Sequence, residues 1–188
     1  METKDYILAS AQRLVQQRGF NGFSYADVAQ EVGIRKASLH HHFATKAALG
    51  VELVRNYAAQ FDHELARIDA TFPSAQARLR AYVAIYRSAL EAGRICLCGM
   101  LATETLTLDA SMLPQLRRFF ARNTEWLTEV LAQGKAQHVF AFEGAAADHA
   151  RAILSTLQGA ALICRANGDL ATFDRTALLL TNDFSRSG

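Results

Sequence analysis

The sequence is short of the residues that interrupt helices and of those that cross-link chains. It holds two prolines in 188 residues and no alternating runs rich in valine or isoleucine. Abundant alanine, leucine, arginine and glutamine therefore point to an all-α chain. Cys96, Cys98 and Cys164 are its three cysteines, too few and too unevenly placed for a disulfide framework, so reduced thiols are expected. No apolar run approaches the roughly 18 residues that span a bilayer, and the N-terminus lacks the basic-then-apolar order of a signal peptide, so a cytoplasmic location is expected. Catalytic signatures are missing too. There is no phosphate-cradling glycine loop, no zinc-protease helix pattern and no nucleophile elbow, while Glu104, Asp109, His138 and His149 lack mutually supporting spacing. No enzyme activity, catalytic residue, cofactor or metal site is expected.

What is present begins with charge and apolar content. The formal charge is only +2 and the apolar fraction is 51%, enough to bury a core over most of the chain. Residues 1 to 50 carry Lys4, Arg13, Arg18, Arg35, Lys36 and Lys46 against Glu2, Asp5, Asp27 and Glu31. This quarter holds the whole positive surplus, as a local phosphate-binding face would.

Ser24 to Lys46 read as two short helices joined by a glycine turn, followed by a third. Ser24 is placed to cap the first, Asp27 occupies the capping-box position, and Val28, Ala29 and Val32 form an apolar face. Gly33 suits the left-handed backbone of a sharp reversal. Ile34, Leu39 and Phe43 then anchor a second helix inward, leaving Arg35, Lys36, Ser38, His40 and His41 outward, where donors can meet base edges and phosphates in a major groove. Thr45 caps the next helix, and Lys46 in its first turn is placed for a phosphate. This is a helix-turn-helix. His40, His41 and His42 project about 100° apart on a helix and so do not converge on one metal ion.

The stretch Ile7 to Leu49 resembles the DNA-binding domain of the TetR family of transcriptional repressors. The resemblance rests on the amphipathic first helix from Ile7 to Phe20, the Val28-Ala29 and Val32-Gly33 pairs, and Lys36-Ala-Ser-Leu39 running into His42-Phe43 and Lys46. It implies an N-terminal three-helix DNA-binding domain over residues 1–46 and a helical effector-binding and dimerisation domain over 47–188, about nine helices in all. Ser24, Tyr25, His40, His42 and Lys46 are expected mainly at phosphates, and Arg35, Lys36, Ala37, Ser38 and His41 at bases. The family usually carries an aromatic, often tyrosine, at the position of His40; histidine keeps a phosphate donor there but is expected to lose the ring packing. His42 is expected partly inward.

Beyond Lys46, a long helix should run to about Ile68 with Leu49, Leu53, Tyr57 and Phe61 inward, broken by Thr71-Phe-Pro-Ser74. The next runs to about Glu91, ending at Ala92-Gly93. A loop and short helix fill Arg94 to Leu108. Ser111 and Pro114 open another long helix through Phe119, Phe120, Trp126 and Leu131, with Gly134 at its end. A loop around Gln137 to Gly144 precedes helices at about Ala145 to Ala166 and Thr172 to Phe184. The last two helices either complete the core or bury against their copies in a twofold dimer. The resemblance selects the dimer, a four-helix bundle that sets two recognition helices on a palindromic operator.

Tyr82, Tyr86, Met100, Phe119, Phe120 and Trp126, with Cys96, either line an effector pocket or fill the core. Cys96 and Cys98 lack the further ligands of a zinc site, and each is either an inert buried thiol or a reactive one. The segment Arg94 to Glu104 is similar to one in a TetR branch that senses electrophiles and oxidants, which implies that Cys96 is the redox or electrophile switch; Cys98 has no counterpart there and stands as a second candidate by its own chemistry. The reading that follows is a one-component regulator, most simply a repressor, released from DNA by a small-molecule effector or by cysteine modification. A helical ligand-binding or interaction protein that has lost DNA binding, or a small enzyme, are the rival classes.

Overall fold

The computed structural model describes residues 2–183, and among these residues all regular structure is helical. Nine α-helices follow in order: α1 Thr3–Arg18, α2 Tyr25–Val32, α3 Lys36–His42, α4 Lys46–Thr71, α5 Ala75–Glu91, α6 Leu97–Ala102, α7 Leu113–Ala136, α8 Ala146–Asn167 and α9 Leu170–Asp183. They fall into two compact units, one of residues up to 61 with 94–119, the other of 62–93 with 120 onward.

In the first unit, local chemistry sets each helix end. Glu2 and Asp5 form a reciprocal capping box that starts α1, and Gly19 at φ 82° ends it, its N–H reaching Val15 O. Ser24 and Asp27 form the second capping box, and Gly33 at φ 75° stops α2 in the left-handed conformation expected of it. Thr45 Oγ1 accepts from Ala48 N at 3.0 Å and opens α4. With seven residues, α3 is far shorter than the roughly 12 to 15 residues an isolated helix needs. Its hold is tertiary: Leu39 is fully buried and Phe43 nearly so, and α3 packs against α2. Truncating Leu39 to alanine would cost about 2 to 5 kcal/mol. Ile34, expected as a third anchor, is only half-buried.

In the second unit, α5 packs on α8 and α9. The buried stripe is Leu79 and Val83 on α5, Ile153, Leu157 and Ala161 on α8, and Phe173 and Ala177 on α9. Arg87 of α5 reaches Asp174 of α9 at 2.7 Å. Ser74 Oγ accepts from Ala77 N, which starts α5 after Pro73 as expected.

Three sequence expectations are corrected. Gly134 does not end α7, which continues to Ala136. A Cβ on Gly134 would lie 2.0 Å from the Phe140 ring, so this glycine serves a close approach rather than a stop. Asp109, not Ser111, caps the entry to α7, accepting from Ser111 N at 2.9 Å ahead of a short 3-10 turn. The last helix starts at Leu170, two residues early, because Asp169 caps it through Ala171 N and Thr172 Oγ1. Its expected end at Phe184 lies outside the described residues.

Candidate nucleic-acid interface

The outward side of α3 is built by what lies beneath it. With Leu39 at 0% exposure, the residues around it on one turn must face away, and Arg35, Lys36, Ala37, Ser38, His40, His41 and His42 are all exposed. On α1, Lys4 pairs with Glu52 at 2.7 Å and Arg13 with Glu31. Arg35 and Lys36 carry no ion pair among the described residues. Two uncommitted positive charges and a row of short donors therefore stand on one exposed helix, an arrangement suited to phosphates and base edges.

The histidines depart from expectation in two ways. His40 keeps the ring packing expected to be lost: its imidazole lies 4.8 Å from the Tyr25 ring, tilted by 54°, and its Nδ1 is 3.3 Å from Ala44 O. His42 is exposed rather than partly inward and meets His41 edge to face, the rings 5.9 Å apart. No group of three metal-ligating side chains occurs among the described residues.

Tyr25 and Lys46 are placed inside the scaffold rather than on its free face. Tyr25 is 7% exposed and its hydroxyl donates to Phe43 O at 2.9 Å, tying the first residue of α2 to the end of α3. Burial pushes its phenol up to about 12, so it stays a neutral donor. The Lys46 ammonium donates to Phe20 O at 2.6 Å and Phe23 O at 2.5 Å and lies over both phenyl rings. Of three ammonium donors, two are thus committed to the loop before α2. Burial lowers the Lys46 pKa, opposed by Glu104 and Asp27. Ser24 is exposed, and its Oγ donates to Asp27 Oδ2 at 2.6 Å.

A residue that sequence reasoning passed over completes this brace. Glu104, just beyond α6, accepts from Phe20 N at 2.7 Å and Asn21 N at 3.4 Å, while Asn21 Nδ2 donates to Thr107 Oγ1 at 2.7 Å. The α1–α2 loop is therefore gripped from both sides, by Lys46 through its carbonyls and by Glu104 through its amides. More than eighty residues separate Glu104 from its partners in sequence, and no local pattern reports such a contact.

The expected effector residues divide between the two units. Tyr82, Tyr86 and Trp126 gather in the second: Tyr82 Oη donates to Asn123 Oδ1 at 2.9 Å, lies 3.2 Å from Tyr86 Oη, and its ring stacks on Trp126 with centroids 5.4 Å apart. Gln158 Nε2 donates to Tyr86 Oη, and Trp126 Nε1 to Asp69. Phe120, also in this unit, is half-buried. Cys96, Met100 and Phe119 belong to the first unit, where the Phe119 ring meets Tyr57 and Phe61. Cys96 is 4% exposed, immediately precedes α6, and its Sγ accepts from Tyr57 Oη at 3.7 Å. Burial raises the Tyr57 phenol and the Cys98 thiol well above their ordinary values, which favours the protonated form of Cys98. Arg94 lines a cleft along α1.

Comparison with known proteins agrees with this geometry. Residues 7–53 match the family described as bacterial regulatory proteins, tetR family. The crystal structure of a TetR-family transcriptional regulator from Agrobacterium tumefaciens is similar with a TM-score of 0.94 at 34% identity, covering 98% of each chain. A TetR transcriptional regulator from Legionella pneumophila gives 0.90 at 28% identity, again covering 98% of each chain. The HTH-type transcriptional repressor NemR of Escherichia coli is 26% identical over 168 residues, 86% of this chain and 83% of that protein.

Proposed function

Since this chain belongs to the TetR family of bacterial regulators, we propose that it is a one-component transcriptional repressor that binds a palindromic operator as a homodimer and is released by an effector. Residues 1–46 form the DNA-binding domain and 47–188 the effector-binding and dimerisation domain. The single observation that carries this is the exposed, unpaired cationic face of α3, Arg35 to Ser38, held outward by buried Leu39. Arg35, Lys36, Ala37, Ser38 and His41 approach base edges; Ser24, His40, His42 and the remaining donor of Lys46 address phosphates. Tyr25 acts through His40, whose ring it supports. The protein works in the cytoplasm and has no catalytic role of its own.

The test is binding of the purified chain to promoter fragments from its own genome across a salt series. Affinity should fall linearly on logarithmic axes, and replacing Lys36 by alanine should flatten the slope by about one, the share of a single neutralised phosphate. Failure to bind any such fragment at low ionic strength would end the proposal.

Release has two routes. Tyr82, Tyr86, Phe120 and Trp126 are the effector-lining residues within the second unit, a ligand there shifting the population away from the DNA-competent state. The likeness of the segment Arg94 to Glu104 to one in the TetR branch that senses electrophiles and oxidants, and the place of Cys96 beside Tyr57, favour thiol modification as the alternative trigger. Because Cys96 is buried, an electrophile reaches it only through local opening. Cys96→Ser should abolish derepression by N-ethylmaleimide while leaving operator affinity unchanged; an unaltered response would remove this route.

A further inference from the structure

A cleft of about 780 Å³ runs beside α1 and is lined wholly by the first unit, with Ser10, Arg13, Asn56, Gln60 and Arg94 as its principal polar walls. Two of these groups lack partners. Ser10 is 6% exposed and its Oγ makes no hydrogen bond. Arg94 has its Nε enclosed and unbonded and no ion pair among the described residues. An enclosed guanidinium donor without an acceptor is costly, and a protein rarely keeps one without a use. The neighbouring backbone is fixed, since Ile95 N donates to Gln16 O at 3.3 Å, so Arg94 is held against α1.

We propose that this cleft is a binding site for a small organic monocarboxylate, its carboxylate on the Arg94 guanidinium and its body between Ser10, Asn56 and Gln60. The planar fork of arginine matches a carboxylate in two parallel hydrogen bonds. Only one uncompensated cation lines the cleft, because Arg13 and Glu31 neutralise one another, and the carboxylate of Asp5 on the same wall disfavours a second negative charge on the ligand. A monoanion is therefore favoured over a phosphate dianion. Leu8, Ala9 and Val32 give the cleft apolar wall, and its volume suits a ligand of aromatic-acid size.

The experiment titrates the full chain with benzoate and, separately, with inorganic phosphate, read by calorimetry and by the Arg94 Nε–Hε resonance. Benzoate should bind saturably and shift that resonance, and phosphate should bind more weakly. Arg94→Gln should weaken benzoate roughly tenfold or more, and Arg94→Lys, which keeps the charge without the fork, by an intermediate factor. Thermal melts establish that each variant is folded; if Arg94→Gln is not, the lysine variant and the wild-type resonance carry the test. Absence of saturable benzoate binding, tighter binding of phosphate, or equal benzoate affinity in wild type and a folded Arg94 variant would overturn the proposal. The titration contains no DNA, so its outcome is separate from that of operator binding.

Discussion

Asp27 shows how one side chain fixes a boundary and leaves a trace in the pH dependence of stability. Its carboxylate accepts from the Ser24 hydroxyl and the Ser24 backbone N–H, each at 2.6 Å, and these bonds, the side-chain one first, hold its pKa below the ordinary 3.8. A carboxyl depressed in the folded state adds stability above its unfolded value and loses it as pH falls through the folded one. Acid unfolding of the wild type should therefore include a component below pH about 4 that Asp27→Asn removes. A melt series against pH on both proteins checks this, and superimposable curves would show that the cap contributes nothing. The pattern Ser24-x-x-Asp27 was fully legible in the sequence because a capping box is a local event, complete within four residues. Tyr25 and Lys46 were not: both sit where a DNA contact is plausible, and only the chain's return shows their polar atoms turned to Phe43, Phe20 and Phe23.

Among the elements, α7 and the loop after α1 are decided by contacts distant in sequence. Gly134 reads as a helix terminator, yet it lies inside α7 with Phe140 against it. Alanine is intrinsically better than glycine in a helix by about 1 kcal/mol, but the added Cβ must displace a ring that is 2% exposed. Gly134→Ala should accordingly lower stability, by about 1 to 3 kcal/mol, and Phe140→Leu in the same chain should recover part of it. Thermal melts decide, and a stabilised single variant would mean that the ring moves freely. The α1–α2 loop depends on Glu104 in the same non-local way. Glu104→Ala leaves Phe20 N without its 2.7 Å acceptor, a destabilisation of about 1 to 3 kcal/mol. Operator affinity should fall with it, since this loop leads directly into Ser24 and α2. Denaturation and a gel-shift titration of the variant measure both effects; unchanged affinity in a destabilised variant would confine Glu104 to folding.

For the whole molecule, the exposed apolar surface of α8 and α9 is the informative feature. Ile163, Leu178 and Leu179 are 55%, 59% and 64% exposed, although Ile153, Leu157, Phe173 and Ala177 of the same helices are buried within the chain. Each helix thus carries an inner stripe and an outer one, and the outer stripes give a second copy something to cover. Leu179→Glu should shift the protein from dimer to monomer in sedimentation. Operator affinity should fall by at least roughly tenfold, because two heads spaced about 34 to 36 Å apart then bind as separate molecules. A dimeric Leu179→Glu protein would direct attention to other surfaces.

The sequence by itself determined the helical class, the order of the helices, the Ser24–Asp27 capping box and the cationic turn of α3, because periodicity, caps and glycine turns act over a few residues. Tertiary structure alone decided that the His40 ring packs against Tyr25, that Lys46 and Glu104 grip one loop from opposite sides, that Gly134 makes room for Phe140, and that Arg94 lines the cleft beside α1. Each of these depends on segments distant in the chain meeting at atomic distance, and a meeting of that kind leaves no periodic or spaced signal in the order of residues.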